Sequence, residues 1–257
     1  MFNMAMDKEV KRMVESFLPG LFLVGIFWLV KWLEISSGYL LTEYGVFPRA
    51  LKGLKGIFTS PFIHGDFQHL ISNSVPMLVL CAGLTYFYRS LAFRVFAGIY
   101  LLGGIWLWIG GRESYHIGAS GLIYGLTTFL FLSGVLRREA RLMALSLLVV
   151  FLYGGMVWGI FPLVKEVSWE GHLFGAFAGI LFAWVYRHEG PQRQIYEWEK
   201  EGSDDDVEDG PDAYWKIPEP PVHLPAAEPQ EKQPAPPETI TYVYTTPEKQ
   251  HKADEKN

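Results

Sequence analysis

Apolar residues in this chain come in long blocks, not in the narrow stripes of a helix with one wet face. A run of roughly 18 or more apolar residues is long enough to cross the hydrocarbon of a bilayer as a helix. Six segments approach that length, at about residues 17–33, 70–88, 92–110, 117–136, 142–161 and 169–186. Helices are the expected form, because lipid offers no partner to backbone N–H and C=O groups. Connections are short except between the first two segments. There about thirty residues pass through Pro48, Pro61 and several glycines. The same stretch carries Tyr39, Leu40, Leu41, Val46, Phe47, Leu54, Ile57 and Phe58, too apolar for an ordinary solvated loop. It predicts a structured loop lying partly in the membrane interface. The fold class expected is an all-α membrane protein with a six-transmembrane-helix bundle. The first apolar run is too long for a cleavable signal peptide, and no small-residue cleavage site follows it.

Charge divides the chain differently from hydropathy. Residues 1–187 hold 15 Lys/Arg and 10 Asp/Glu, a net of +5, whereas residues 188–257 hold 7 and 17, a net of −10. The overall −5 therefore describes neither part. Three units are expected: a short polar segment over 1–16, the membrane body over 17–187, and an acidic tail over 188–257. The tail holds 11 of the 16 prolines and the run Asp204–Asp209. It has too little apolar surface to fold as a domain, so disorder is expected. Its isolated Tyr214, Trp215, Tyr242 and Tyr244 are either solvated or docking points for a partner of unknown kind. Ten Lys/Arg fall on the side of the first segment and the tail, against five on the other side, with Lys31 near the end of span 1. By the positive-inside rule both termini are cytoplasmic. A bacterial inner membrane is the expected location. Cys81, the sole cysteine, lies in an apolar run, and no intramolecular disulfide is possible.

Polar groups within such spans are costly, and each is a functional candidate. Gly118-Ala119-Ser120-Gly121 opens span 4. A serine there either bonds back to its own helix or is a nucleophile beside the free N–H groups of a helix start, which stabilise negative charge. Gly171-His172 opens span 6. A lone buried histidine is usually structural. Yet spans 4 and 6 run in the same direction, and Ser120 and His172 each lie about a turn from the outer end. At a rise of ~1.5 Å per residue they share a depth, as a general base and its nucleophile must. Gly121 and Gly125, and Gly175 and Gly179, form small faces spaced by four, suited to close packing with or without chemistry. His64-Gly-Asp66-Phe-Gln-His69-Leu-Ile-Ser-Asn73 leads into span 2. His69 and Asn73 share a helix face and are able to complete an oxyanion hole. The rival reading, a metal site, lacks the spacing and glutamate of H-E-x-x-H. Glu170 and Asp66 are placed near the interface, which favours a Ser–His dyad over a triad. Tyr124, one turn after Ser120, is positioned to stack on the imidazole in place of the missing acid.

Together, H-x4-H-x3-N before span 2, G-x-S-G-x-x-Y-G opening span 4 and G-H-x-x-G-x-x-x-G in span 6 resemble the rhomboid intramembrane serine proteases, over about residues 17–187. The resemblance implies that Ser120 is the nucleophile and His172 the general base and acid. His69, Asn73 and the Ser120 N–H, with that of Ala119, would hold the oxyanion. Tyr124 would orient His172, and His64 would support the loop. Gly118, Gly121 and Gly175 would allow the close approaches. It implies transmembrane proteins as substrates, with helix-breaking residues and a small residue before the cut. No cofactor, metal or nucleic acid is implied, and lipid is the surrounding partner. Two departures stand out: Lys55-Gly56 where the family often has Trp-Arg in the first loop, and the acidic tail. The rivals are a catalytically silent rhomboid-like binding or quality-control factor, and a small-solute transporter or channel.

Overall fold

A computed structural model describes residues 2–152, 158–164 and 167–190. Their α-helices are α1 (Phe2–Ser16), α2 (Leu18–Ser37), the one-turn α3 (Gly56–Thr59), α4 (Phe67–Phe87), α5 (Ala92–Gly110), α6 (Ser120–Arg137), α7 (Ala140–Leu152) and α8 (Trp169–Val185). One isolated antiparallel bridge joins Val46 to His116. The chain is thus a helical bundle, as its apolar blocks predict. The apolar stretch Asp7–Ser37, α4, α5 and α6 are long and apolar enough to cross a membrane, whereas α7 and α8 are apolar but shorter.

One local feature adds to the sequence reading and one departs from it. The polar segment before the first span is itself helical, and α1 runs on almost without a break into α2. Its Glu, Lys, Met and Arg residues are good helix formers, and Arg12 ties it to the end of α4 by donating to the Tyr86 carbonyl at 2.7 Å. The fifth apolar block does not continue as helix to residue 161. Trp158–Ile160 form a single 3-10 turn, and residues 153–157 lie outside the described residues. So does the acidic tail from residue 191 onward.

Helices α6 and α8 form the centre. A Cβ placed on Gly175 would run into the Gly121 carbonyl, and one on Gly179 into that of Gly125. Backbone meets backbone at both steps, which lets Thr128 Oγ1 donate across to the Ala176 carbonyl at 3.0 Å. At the far end Arg137, buried at the close of α6, donates to the carbonyls of Tyr186 and Glu189 beyond α8. Contacts at 120–172, 121–175, 125–179 and 137–186 advance together, so the two helices are parallel.

The long first loop is ordered by short turns over Thr42–Tyr44, Leu51–Gly53 and Ser60–Phe62 around α3. Val46 is fully buried and exchanges two backbone hydrogen bonds with His116. Lys55 lies over the Tyr44 ring at 4.0 Å, and Gly56 abuts the backbone of Gly45 and Val46 too closely for any Cβ. The two positions that depart from the family pattern therefore anchor the loop by a cation–π contact and a close backbone approach. Tyr39, Leu40, Leu51 and Phe58 stay exposed on this loop.

Candidate active site

Ser120 is the first residue of α6, after Ala119 as N-cap with no side-chain cap of its own. Gly118 before it sits at φ 102°, in the left-handed region that glycine enters without strain. Its N–H is held by the Ser60 carbonyl at 2.9 Å. The turn is thereby fixed to the first loop, and the opening N–H groups of α6, which have no partner within the helix, face the same place as the serine.

His172 lies one turn into α8 and is buried. Its Nε2 stands 2.8 Å from Ser120 Oγ, and its Nδ1 stands 2.7 Å from the carbonyl oxygen of Gly159. A carbonyl only accepts, so Nδ1 carries the proton of the neutral ring and Nε2 is left to accept from the serine hydroxyl. The Tyr124 ring stacks on the imidazole with centroids 4.2 Å apart and planes 8° from parallel.

His69 and Asn73 project from one face of α4 toward Gly118. A Cβ on Gly118 would stand 2.5 Å from His69 Nε2 and 3.5 Å from Asn73 Nδ2. Asn73 Nδ2 is buried and has no hydrogen-bond partner among the described residues. Leaving such a donor unpaired costs about 1–3 kcal/mol, and it is aimed at the turn that carries the serine. Asp66 caps α4 by accepting from the His69 N–H at 2.7 Å. His64 is buried, with its ring 5.1 Å from that of Phe27 and 5.1 Å from that of His69. Burial pushes its pKa down to about 4.

Gly159 and His116 have no clear mark in the sequence, and Glu170 has a different setting from the one expected. Gly159 acts through a backbone carbonyl, which any residue possesses. Glu170, expected near the interface, is buried and taken up by Arg112, with Oε1 3.7 Å from the guanidinium; His172 turns its Nδ1 to Gly159 instead. His116 is buried by the loop, hydrogen-bonded to Ser168 Oγ at 2.6 Å and the Arg112 carbonyl at 3.0 Å. A cavity of about 50 Å³ lies beside Ser120, walled by Ile57, Gly103, Gly104, Gly171 and Gly175.

The model of the Rhomboid domain matches residues 52–189, from the first loop to just past α8. The chain belongs to the rhomboid family. Its rhomboid domain thus takes in the serine, the histidine and the α4 face. An uncharacterized protein of Mycobacterium tuberculosis (strain H37Rv) is 34% identical over 194 residues, covering 70% of this chain and 78% of its own. An uncharacterized protein of Mycobacterium leprae is 31% identical over 217 residues, covering 77% and 82%. As a rhomboid with several apolar helices, the protein is an integral membrane protein.

Proposed function

We propose that this rhomboid is an active intramembrane serine endopeptidase that hydrolyses peptide bonds in or beside the transmembrane helices of other membrane proteins. The observation that carries the reading is the 2.8 Å contact between Ser120 Oγ and His172 Nε2, with the unpaired Asn73 donor aimed at the turn before the serine. Ser120 attacks the carbonyl carbon while His172 Nε2 takes its proton. The developing oxyanion accepts from Asn73, His69 and the N–H groups of Ser120 and Ala119. His172 then returns the proton to the leaving amine, and water hydrolyses the acyl-enzyme. Throughout, Gly159 holds the imidazolium from its other side, where soluble serine proteases use an aspartate.

Substrate choice follows from the space available. The cavity of about 50 Å³ beside Ser120 has space for a few waters or a short side chain, which supports a small residue on the acyl side of the cut. Helix-breaking residues near the cut would free the bond from its helical hydrogen bonds. The expected setting is a bacterial inner membrane, with both termini cytoplasmic and transmembrane proteins as partners.

The test is cleavage of a single-span substrate in liposomes by wild type, Ser120→Ala and His172→Ala. The expected outcome is cleavage by wild type and its loss, by at least about a thousandfold, in both variants. Equal cleavage by all three would sink the assignment. Failure of wild type to cleave or to react with a fluorophosphonate would instead favour a catalytically silent binding factor.

A further inference from the structure

Helix α2 brings Phe27, Lys31 and Glu34 onto one buried face. Spacings of four and three put them in line. Lys31 and Glu34 form an ion pair of 2.7 Å, both side chains about nine-tenths buried. Neither charge is spent on the other alone. Lys31 Nζ also donates to the carbonyls of His64 at 3.0 Å and Gly65 at 2.9 Å. The second oxygen of Glu34 accepts the N–H of Leu41 at 3.0 Å, where the first loop begins. Three ammonium protons thus meet three acceptors, and the carboxylate uses both oxygens.

The carbonyls so gripped belong to the residues that precede α4. Gly65, with no Cβ contact of its own, connects His64 to Asp66, the cap that fixes the His69 N–H. The His64 ring fills the space between Phe27 on α2 and His69 on α4. His69 in turn borders Gly118. A continuous line of contacts therefore runs from α2 through 64–66 to the α4 face that looks onto Ser120. A surface pair would be worth little here. A buried pair that binds two backbone carbonyls fixes the place of the peptide units it holds.

We infer that Lys31 and Glu34 are positioning residues for the oxyanion donors, setting His69 and Asn73 against the Ser120 turn without touching substrate. The inference rests on the protease reading above. Positioning of this kind acts on the transition state more than on substrate binding, since a donor displaced by an ångström still leaves the substrate site intact.

The test uses the full chain in liposomes, with every rate divided by the sites titrated with a fluorophosphonate, so that loss of folded protein does not count. The double variant Lys31→Met/Glu34→Gln removes both charges together and leaves no buried ion alone; Lys31→Met is run beside it. The expected result is a kcat per titrated site lowered between about ten- and a hundredfold, with KM within about twofold. Asn73→Ala should then cost at least about threefold less in the double-variant background than in wild type, because its donor is already displaced. Unchanged kcat per titrated site overturns the inference, and so does an Asn73→Ala penalty of the same size in both backgrounds. If wild type neither labels nor cleaves, the protease reading falls and the positioning role falls with it. Labelling and cleavage by wild type with indifferent variants overturns the positioning role alone.

Discussion

His64 shows how one side chain's surroundings become a property of the whole protein. It is buried between two rings, and burial holds its pKa at about 4, against about 6.5 for an open imidazole. Between those values the unfolded chain takes up a proton that the folded chain refuses. Stability therefore falls as pH drops from 6.5 toward 4, by up to about 3 kcal/mol from this residue. His116, whose pKa burial also lowers, acts in the same sense. Thermal unfolding followed at pH 7, 5.5 and 4.5 should show the decline, and His64→Leu should flatten part of it. An equally steep decline in that variant would mean other groups govern it. At this scale the sequence made legible the two side chains that the fold brings into contact. Ser120 and His172 each stand beside glycines and a turn from the same end of their helices. Gly159 and the Lys31–Glu34 pair were not legible. The first acts through its backbone, and the second gains its meaning from carbonyls some thirty residues away in the chain.

Helix pairing sets the distance between the serine and the histidine. Because α6 and α8 touch backbone to backbone at Gly175 and Gly179, a methyl there has no space to occupy without moving a helix. Gly175→Ala is expected to cost about 1–3 kcal/mol by overpacking and to slow fluorophosphonate labelling of Ser120. Gly25 on α2 is the control, with nothing within 4 Å of its added Cβ. Gly25→Ala should leave labelling unchanged and stability equal or slightly raised. Loss of labelling in both variants would mean that helix glycines matter for some reason other than this contact. The existence of the apolar helices was plain from the blocks alone, and the four-residue glycine spacing named the close pair. The limits of the fifth block were not plain. Hydropathy runs on through residue 161, while the chain turns at Trp158–Ile160 to bring a carbonyl to His172.

For the molecule as a whole, orientation decides which face of the membrane the site opens to. In the proposed orientation, which follows the excess of Lys and Arg, α1 lies inside and the loop before α6 outside. Cys81, the single cysteine, is buried in the bundle, so a cysteine added elsewhere reports alone. Glu113→Cys, at an exposed position whose contact with Arg49 is a surface ion pair of small worth, should react with a membrane-impermeant maleimide from outside intact cells. Lys8→Cys should react only after the membrane is opened. The reverse pattern would turn the site toward the cytoplasm. The same topology gives the charged pair on α2 a meaning for biogenesis. During synthesis α2 emerges before residues 64 and 65, which later accept from Lys31. Until they arrive, Lys31 and Glu34, in the last two turns of α2, have each other but not the two carbonyls that later complete the ammonium's hydrogen bonds. The C-terminal end of α2 thus reaches its final hydrogen-bonded state only after the chain through residue 65 has left the ribosome.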